Sequence, residues 1–159
     1  MRIICLNGPI NSGKSTVGRC LAALLPTAAF IDGDDHDAQD APDLATHIEA
    51  ALSRIESRIA SAGGDLVVAY PLRDADLERI RAAAAQRGAR VFVVTLAPPL
   101  AVALTNRGTR VLTEDERSRL CEMFEEGYAS RSFSDLTLDN ATLTPQQSAQ
   151  AIADALPAD

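Results

Sequence analysis

Lysine is all but absent from this chain. Of fifteen basic side chains fourteen are arginine, and the single lysine is Lys14. Tryptophan is missing and aromatic residues make up only 4%, which excludes the stacking platform used to bind single-stranded nucleic acid. Positive charge is short as well. The formal net charge is −7 and the arginines are interspersed with acids, whereas a phosphate-backbone binder carries a basic stripe. Nucleic acid is therefore not an expected partner, and the acidity reads as a solubility feature. No run of about 18 apolar residues exists, so no membrane span is expected. The apolar opening "MRIICLNGP" is too short for a signal peptide. Cys5, Cys20 and Cys121 are far apart, with no CxxC pair and no histidine at metal spacing. Neutral thiols in a cytoplasmic protein are expected.

What the chain does contain is alternation. Short aliphatic runs at 2–6, 28–31, 65–70, 90–96 and 135–138 read as strands, three of them continuous enough to be buried on both faces. Between them, 14–25, 43–62, 74–87, 98–107, 113–127 and 144–156 read as helices. Leu44, Ile48, Leu52, Ile55 and Ile59 form one stripe of the second. Thr113 and Glu116 open the fifth as a capping box, and Thr144 with Pro145 opens the sixth. At 159 residues and 47% hydrophobic content this predicts one α/β domain. It has three layers, with helices on both faces of a five-stranded parallel sheet.

The lone lysine sits in "GPINSGKS", which matches G-x-x-x-x-G-K-[ST] at Gly8, Gly13, Lys14 and Ser15. The flanks are those the motif requires, an apolar strand before and a helix after. Successive amides of such a loop point inward at a phosphate, and the following helix adds the positive end of its dipole. Lys14 would reach the β- and γ-phosphates and Ser15 would hold Mg²⁺. Asn11, Ser12 and Thr16 complete the nucleotide-binding set. Four specified positions match by chance in fewer than about one chain in a thousand at average glycine usage.

After the second strand, "FIDGDDHD" places Asp32, Asp34, Asp35 and Asp37 within six positions. In a parallel sheet this turn faces the phosphate loop. Carboxylates there can order a hydrated metal (Asp32) or accept a proton from a substrate hydroxyl (Asp34). Whether Asp32 or Asp35 shares the role of Asp34 is open. His36 is a candidate substrate contact.

The "FIDGDD" turn, some 16 residues beyond a phosphate loop, resembles the small-molecule kinases related to gluconate kinase, shikimate kinase and chloramphenicol phosphotransferase. These belong to the nucleoside-monophosphate-kinase-like group of P-loop folds. The resemblance implies strand order 2-3-1-4-5, a substrate-side helical region over about 33–64 and a mobile lid over about 107–117. It implies that Asp34 binds the acceptor hydroxyl and serves as base. It also implies that Arg107 and Arg110 of "NRGTR" close on the phosphates. Tyr70, Arg73 and Arg131 become substrate contacts, and Asn140 of "LDNATLTP" meets the base. Arg117 and Arg119 are expected instead to pair with Glu114, Glu116 or Glu122 along their own helix.

The sequence departs from its models too. It lacks the FRxxE element of shikimate kinases after the second strand, and the gluconate-kinase substrate segment is longer than "AQDAPD". The expectation is an ATP- and Mg²⁺-dependent transfer of the γ-phosphate to a hydroxyl of a small metabolite or antibiotic, with the acceptor open. The alternative is a nucleotide-gated ATPase or regulatory module without such an acceptor; a free-nucleoside kinase is a third reading. The turn at Asn140 carries no guanine-specific Asn-Lys-x-Asp signal, which does not by itself exclude GTP.

Overall fold

The computed structural model describes residues 1–34 and 43–157. Five strands, β1 (Arg2–Asn7), β2 (Ala29–Asp32), β3 (Leu66–Ala69), β4 (Arg90–Leu96) and β5 (Leu136–Leu138), form one sheet. All pairings are parallel and the order is β2-β3-β1-β4-β5, as the sequence pattern and the resemblance implied. Helices α1 (Lys14–Leu24), α2 (Leu44–Ser61), α3 (Asp74–Gln86), α4 (Leu100–Ala103), α5 (Glu114–Glu125) and α6 (Pro145–Ala155) fill the connections.

Side chains of β1 alternate between two cores because successive strand residues point to opposite faces. Ile3 and Cys5 join Leu52, Ile55 and Ile59 of α2 and Leu77 and Ile80 of α3. Ile4 and Leu6 join Val17 and Leu21 of α1 and Ala149 and Ile152 of α6 on the other face. Three layers result. A smaller cluster of Ala103, Leu112 and Leu120 sits beneath the segment that follows α4.

One helix is much shorter than its pattern. A helix over 98–107 was expected, and α4 spans only Leu100–Ala103. Side chains capture the carbonyls that would continue it. Asn11 Nδ2 donates to Ala103 O and Thr105 O, each at 2.8 Å, and Thr105 Oγ1 bonds Val102 O. The chain leaves the helix early and becomes a loop bonded to the turn between β1 and α1.

Candidate active site

The turn between β1 and α1 is built for close backbone approach. Gly8 has φ of 142°, and a Cβ there would lie 2.5 Å from Leu96 O. Only glycine fits. Asn11 (φ 59°) and Gly13 (φ 96°) complete the curl into α1. Lys14 folds back across it, its Nζ donating to Gly8 O at 3.0 Å and Pro9 O at 2.8 Å. Burial lowers the Lys14 pKa from 10.5 to about 8, opposed by Asp34 and Asp32 and assisted by Arg110.

Gly33 stands between Asp32 and Asp34 because no side chain fits there: a Cβ would lie 2.5 Å from the Tyr70 ring. Three bonds fix this turn. Gly33 N donates to Ala69 O (2.9 Å), Asp34 N to Asp32 Oδ1 (3.2 Å), and Arg54 Nη2 of α2 to Gly33 O (2.7 Å). Arg54 has no motif to mark it; its signal was only an arginine on the inner side of the α2 stripe.

A cleft of about 980 Å³ brings the predicted groups together. Lys14, Ser15, Thr16, Asp32, Asp34, Arg107, Arg110 and Asn140 all line it. Arg107 donates to Asn11 O at 3.3 Å and to Asn140 O at 3.1 Å. Asn140 is 2% exposed, and its Nδ2 donates to Ser12 O at 2.8 Å. Ser12 is itself buried, its Oγ without a partner among the described residues, so its contribution to the loop is through its peptide.

Three expected substrate contacts lie beyond the cleft lining. Tyr70 is buried against Gly33, and burial, followed by the charges of Asp76 and Asp34, pushes its hydroxyl up to about 12. Arg73 pairs with Asp76, which accepts from its backbone N, Nε and Nη2. That pairing explains how an arginine is tolerated at a helix N-terminus: Asp76 supplies the negative charge the dipole favours. Arg131 stacks 4.1 Å over the Tyr128 ring and donates to Glu126 O. Asp35, His36 and Asp37 lie outside the described residues.

The helix arginines are a partial correction. Arg119 pairs within its helix with Glu122, and with Glu126 just beyond it. Arg117 instead reaches back to Leu104 O and Asn106 Oδ1, because the shortened α4 leaves that carbonyl open. Glu116 is taken by Arg110.

Sequence reading also missed Asn7. Fully buried at the end of β1, its Oδ1 accepts from Leu72 N at 2.8 Å, and its Nδ2 donates to Thr95 Oγ1 and Tyr128 O. Thr95 Oγ1 lies 2.6 Å from Ser134 Oγ. One amide thus ties the ends of β1, β3 and β4 to the segment before β5. A polar residue closing an apolar strand was its only trace.

No protein-family model and no curated protein matches this sequence. Solved structures do. The tunicamycin resistance protein of Deinococcus radiodurans is 25% identical, with 96% of this chain and 94% of that one covered at a TM-score of 0.61. An APS kinase from Mycobacterium tuberculosis, solved with AMPPNP and APS, is 20% identical over 97% and 96% at 0.66. The chain has the fold of the P-loop kinases. A shikimate kinase from Aquifex aeolicus shares that fold at 18% identity, over 96% and 95%, with a TM-score of 0.68. Among the described residues no helix is long and apolar enough to cross a membrane.

Proposed function

We propose that this protein is a kinase that moves the γ-phosphate of ATP to a hydroxyl of a small molecule. The observation that carries the reading is that Asp34 shares one cleft with Lys14 and the phosphate loop. A carboxylate on a fixed turn opposite an ammonium on a phosphate cradle suits a proton acceptor opposite a phosphate clamp. Loop amides and Lys14 bind the triphosphate, and Arg107 and Arg110 of the 107–117 lid offset the charge that develops on it. Asp34 orients the acceptor hydroxyl and takes its proton. The acceptor oxygen then bonds to the γ-phosphorus as the bond to the β–γ bridging oxygen breaks. The acceptor is assigned to the 33–64 region with His36, and to Tyr70, Arg73 and Arg131, the last three beyond the cleft lining. Asn140 and its turn meet the base.

Mg²⁺ fits the donor set. Among the described residues no group of three or more metal-ligating His, Cys, Asp or Glu occurs. A cation that keeps most of its waters needs only one or two protein oxygens, and Ser15 and Asp32 line the cleft beside Lys14. When bound, Mg²⁺ would be held through Ser15 and Asp32 and would supply positive charge that offsets the negative charge of the phosphates.

The reading is tested by incubating the protein with MgATP and a panel of polyols, sugar acids, aminocyclitols, antibiotics and nucleosides while following ADP release. Acceptor-dependent turnover that Asp34→Asn lowers by about 100-fold or more is expected for loss of a general base. ADP formation indifferent to every acceptor and to Asp34→Asn overturns it.

A further inference from the structure

The loop from Arg107 to Thr113 is pinned at its neck and held at its tip by one carboxylate. Leu112 N donates to Asn106 Oδ1 at 3.2 Å, and Arg117 closes the base on Leu104 O. Between them the chain turns through Gly108 (φ 61°), and the Arg110 side chain is 50% exposed. An exposed arginine samples many rotamers, yet here its Nη2 lies against Glu116 Oε1. Glu116 is itself immobilised. Its Oε2 accepts from Thr113 N at 2.9 Å, and its own N–H donates to Thr113 Oγ1 at 3.2 Å, closing the capping box of α5.

We propose that Glu116 is a positioning residue, which ties the Arg110 guanidinium to the first turn of α5 so that it faces the phosphate end of the cleft. Arg110, Glu116 and Lys14 line the same cleft, and the Arg110 charge is felt at the Lys14 ammonium. Asp34 and Asp32 favour the Lys14 ammonium, and the Arg110 charge disfavours it. Glu116 offsets that repulsion on the Arg110 side. The remaining guanidinium donors stay available, since an arginine carries five and Glu116 occupies one. Preorganisation of this kind removes ordering cost at the moment a phosphate arrives.

The inference rests on the phosphate role proposed for Arg110, and its test separates the two. Dissociation constants for MgAMPPNP and MgADP are measured for the wild type, Arg110→Ala, Glu116→Gln, Glu116→Ala and the Arg110→Ala/Glu116→Ala double variant. The AMPPNP-to-ADP ratio isolates the γ-phosphate, because a change in general charge acts on both ligands. Arg110→Ala should worsen that ratio by roughly tenfold, as for a lost charge-assisted bond. Glutamine still closes a capping box. Its single carbonyl is then committed to Thr113, and its amide nitrogen cannot accept from Arg110. Glu116→Gln should therefore worsen the ratio by about threefold or more with an unchanged melting temperature, and the double variant should be no worse than Arg110→Ala. If Arg110→Ala leaves the ratio unchanged, the phosphate role falls and this inference with it. If Arg110→Ala acts but neither Glu116 variant does, or their effects add, Glu116 is only a helix cap.

Discussion

At Lys14 an ammonium sits between two carbonyls of a tight loop, short of water, in a chain that otherwise uses arginine. A compact rotatable group with three donors fits that space, where a planar guanidinium fits poorly. Its pKa of about 8, against the ordinary 10.5, sets two opposed pH effects. The folded protein holds this proton less tightly than the unfolded chain does. Between about pH 8 and 10.5 unfolding therefore takes up a proton, and the Lys14 contribution makes the ligand-free protein more stable as pH rises. Bound phosphates favour the charged form, so nucleotide binding takes up a proton above pH 8. The expected result is an MgAMPPNP affinity that declines from about pH 8 upward by at most roughly tenfold per unit. Lys14→Met should flatten that decline. Calorimetry at stepped pH checks both effects.

At the level of elements, α3 has an arginine, Arg73, at its N-cap, where positive charge opposes the dipole, and Asp76 in the first turn offsets it. Its carboxylate is 2% exposed and accepts from the Arg73 backbone and side chain. Asp76→Ala removes the cap and leaves Arg73 unpaired beside it. A loss of about 1–2 kcal/mol is expected, the upper range for helix caps, read from urea unfolding. Arg73→Ala should cost less, since that side chain is half exposed and exposed ion pairs contribute about 0–1 kcal/mol. A substantially larger loss for Arg73→Ala than for Asp76→Ala would contradict this assignment. The same two variants in the acceptor panel report whether Arg73 also serves substrate.

Across the whole molecule, Asn7 at the end of β1 ties together Leu72 beyond β3, Thr95 of β4 and Tyr128 of the segment before β5. Asn7→Ala strands the buried Leu72 amide and takes the amide donor from Thr95 Oγ1 and Tyr128 O. An unsatisfied buried donor costs about 1–3 kcal/mol, and for a domain of this size each kcal/mol lowers Tm by about 2–4 °C. A Tm drop of roughly 2–12 °C is expected by scanning calorimetry. An unchanged Tm would show that the neighbouring segments satisfy these groups without the amide.

Local chemistry made much of this protein legible in its sequence. The period of apolar residues set five strands and six helices, glycine spacing set the tight turn between β1 and α1, and the "FIDGDD" turn brought Asp34 to the same cleft as Lys14. Each of these depends on residues close in the chain, whose backbone preferences act before any packing. What the tertiary structure alone decided was which side chains pair across distance. Asn11 ended α4 early, Arg117 left its own helix for Leu104, Glu116 took Arg110, and Asn7 joined three strand ends. A guanidinium or an amide looks the same in sequence whether it faces solvent or a carbonyl a hundred residues away. Only folding brings the partner within hydrogen-bond reach, and the penalty for leaving a buried polar group unpaired then selects the pairing.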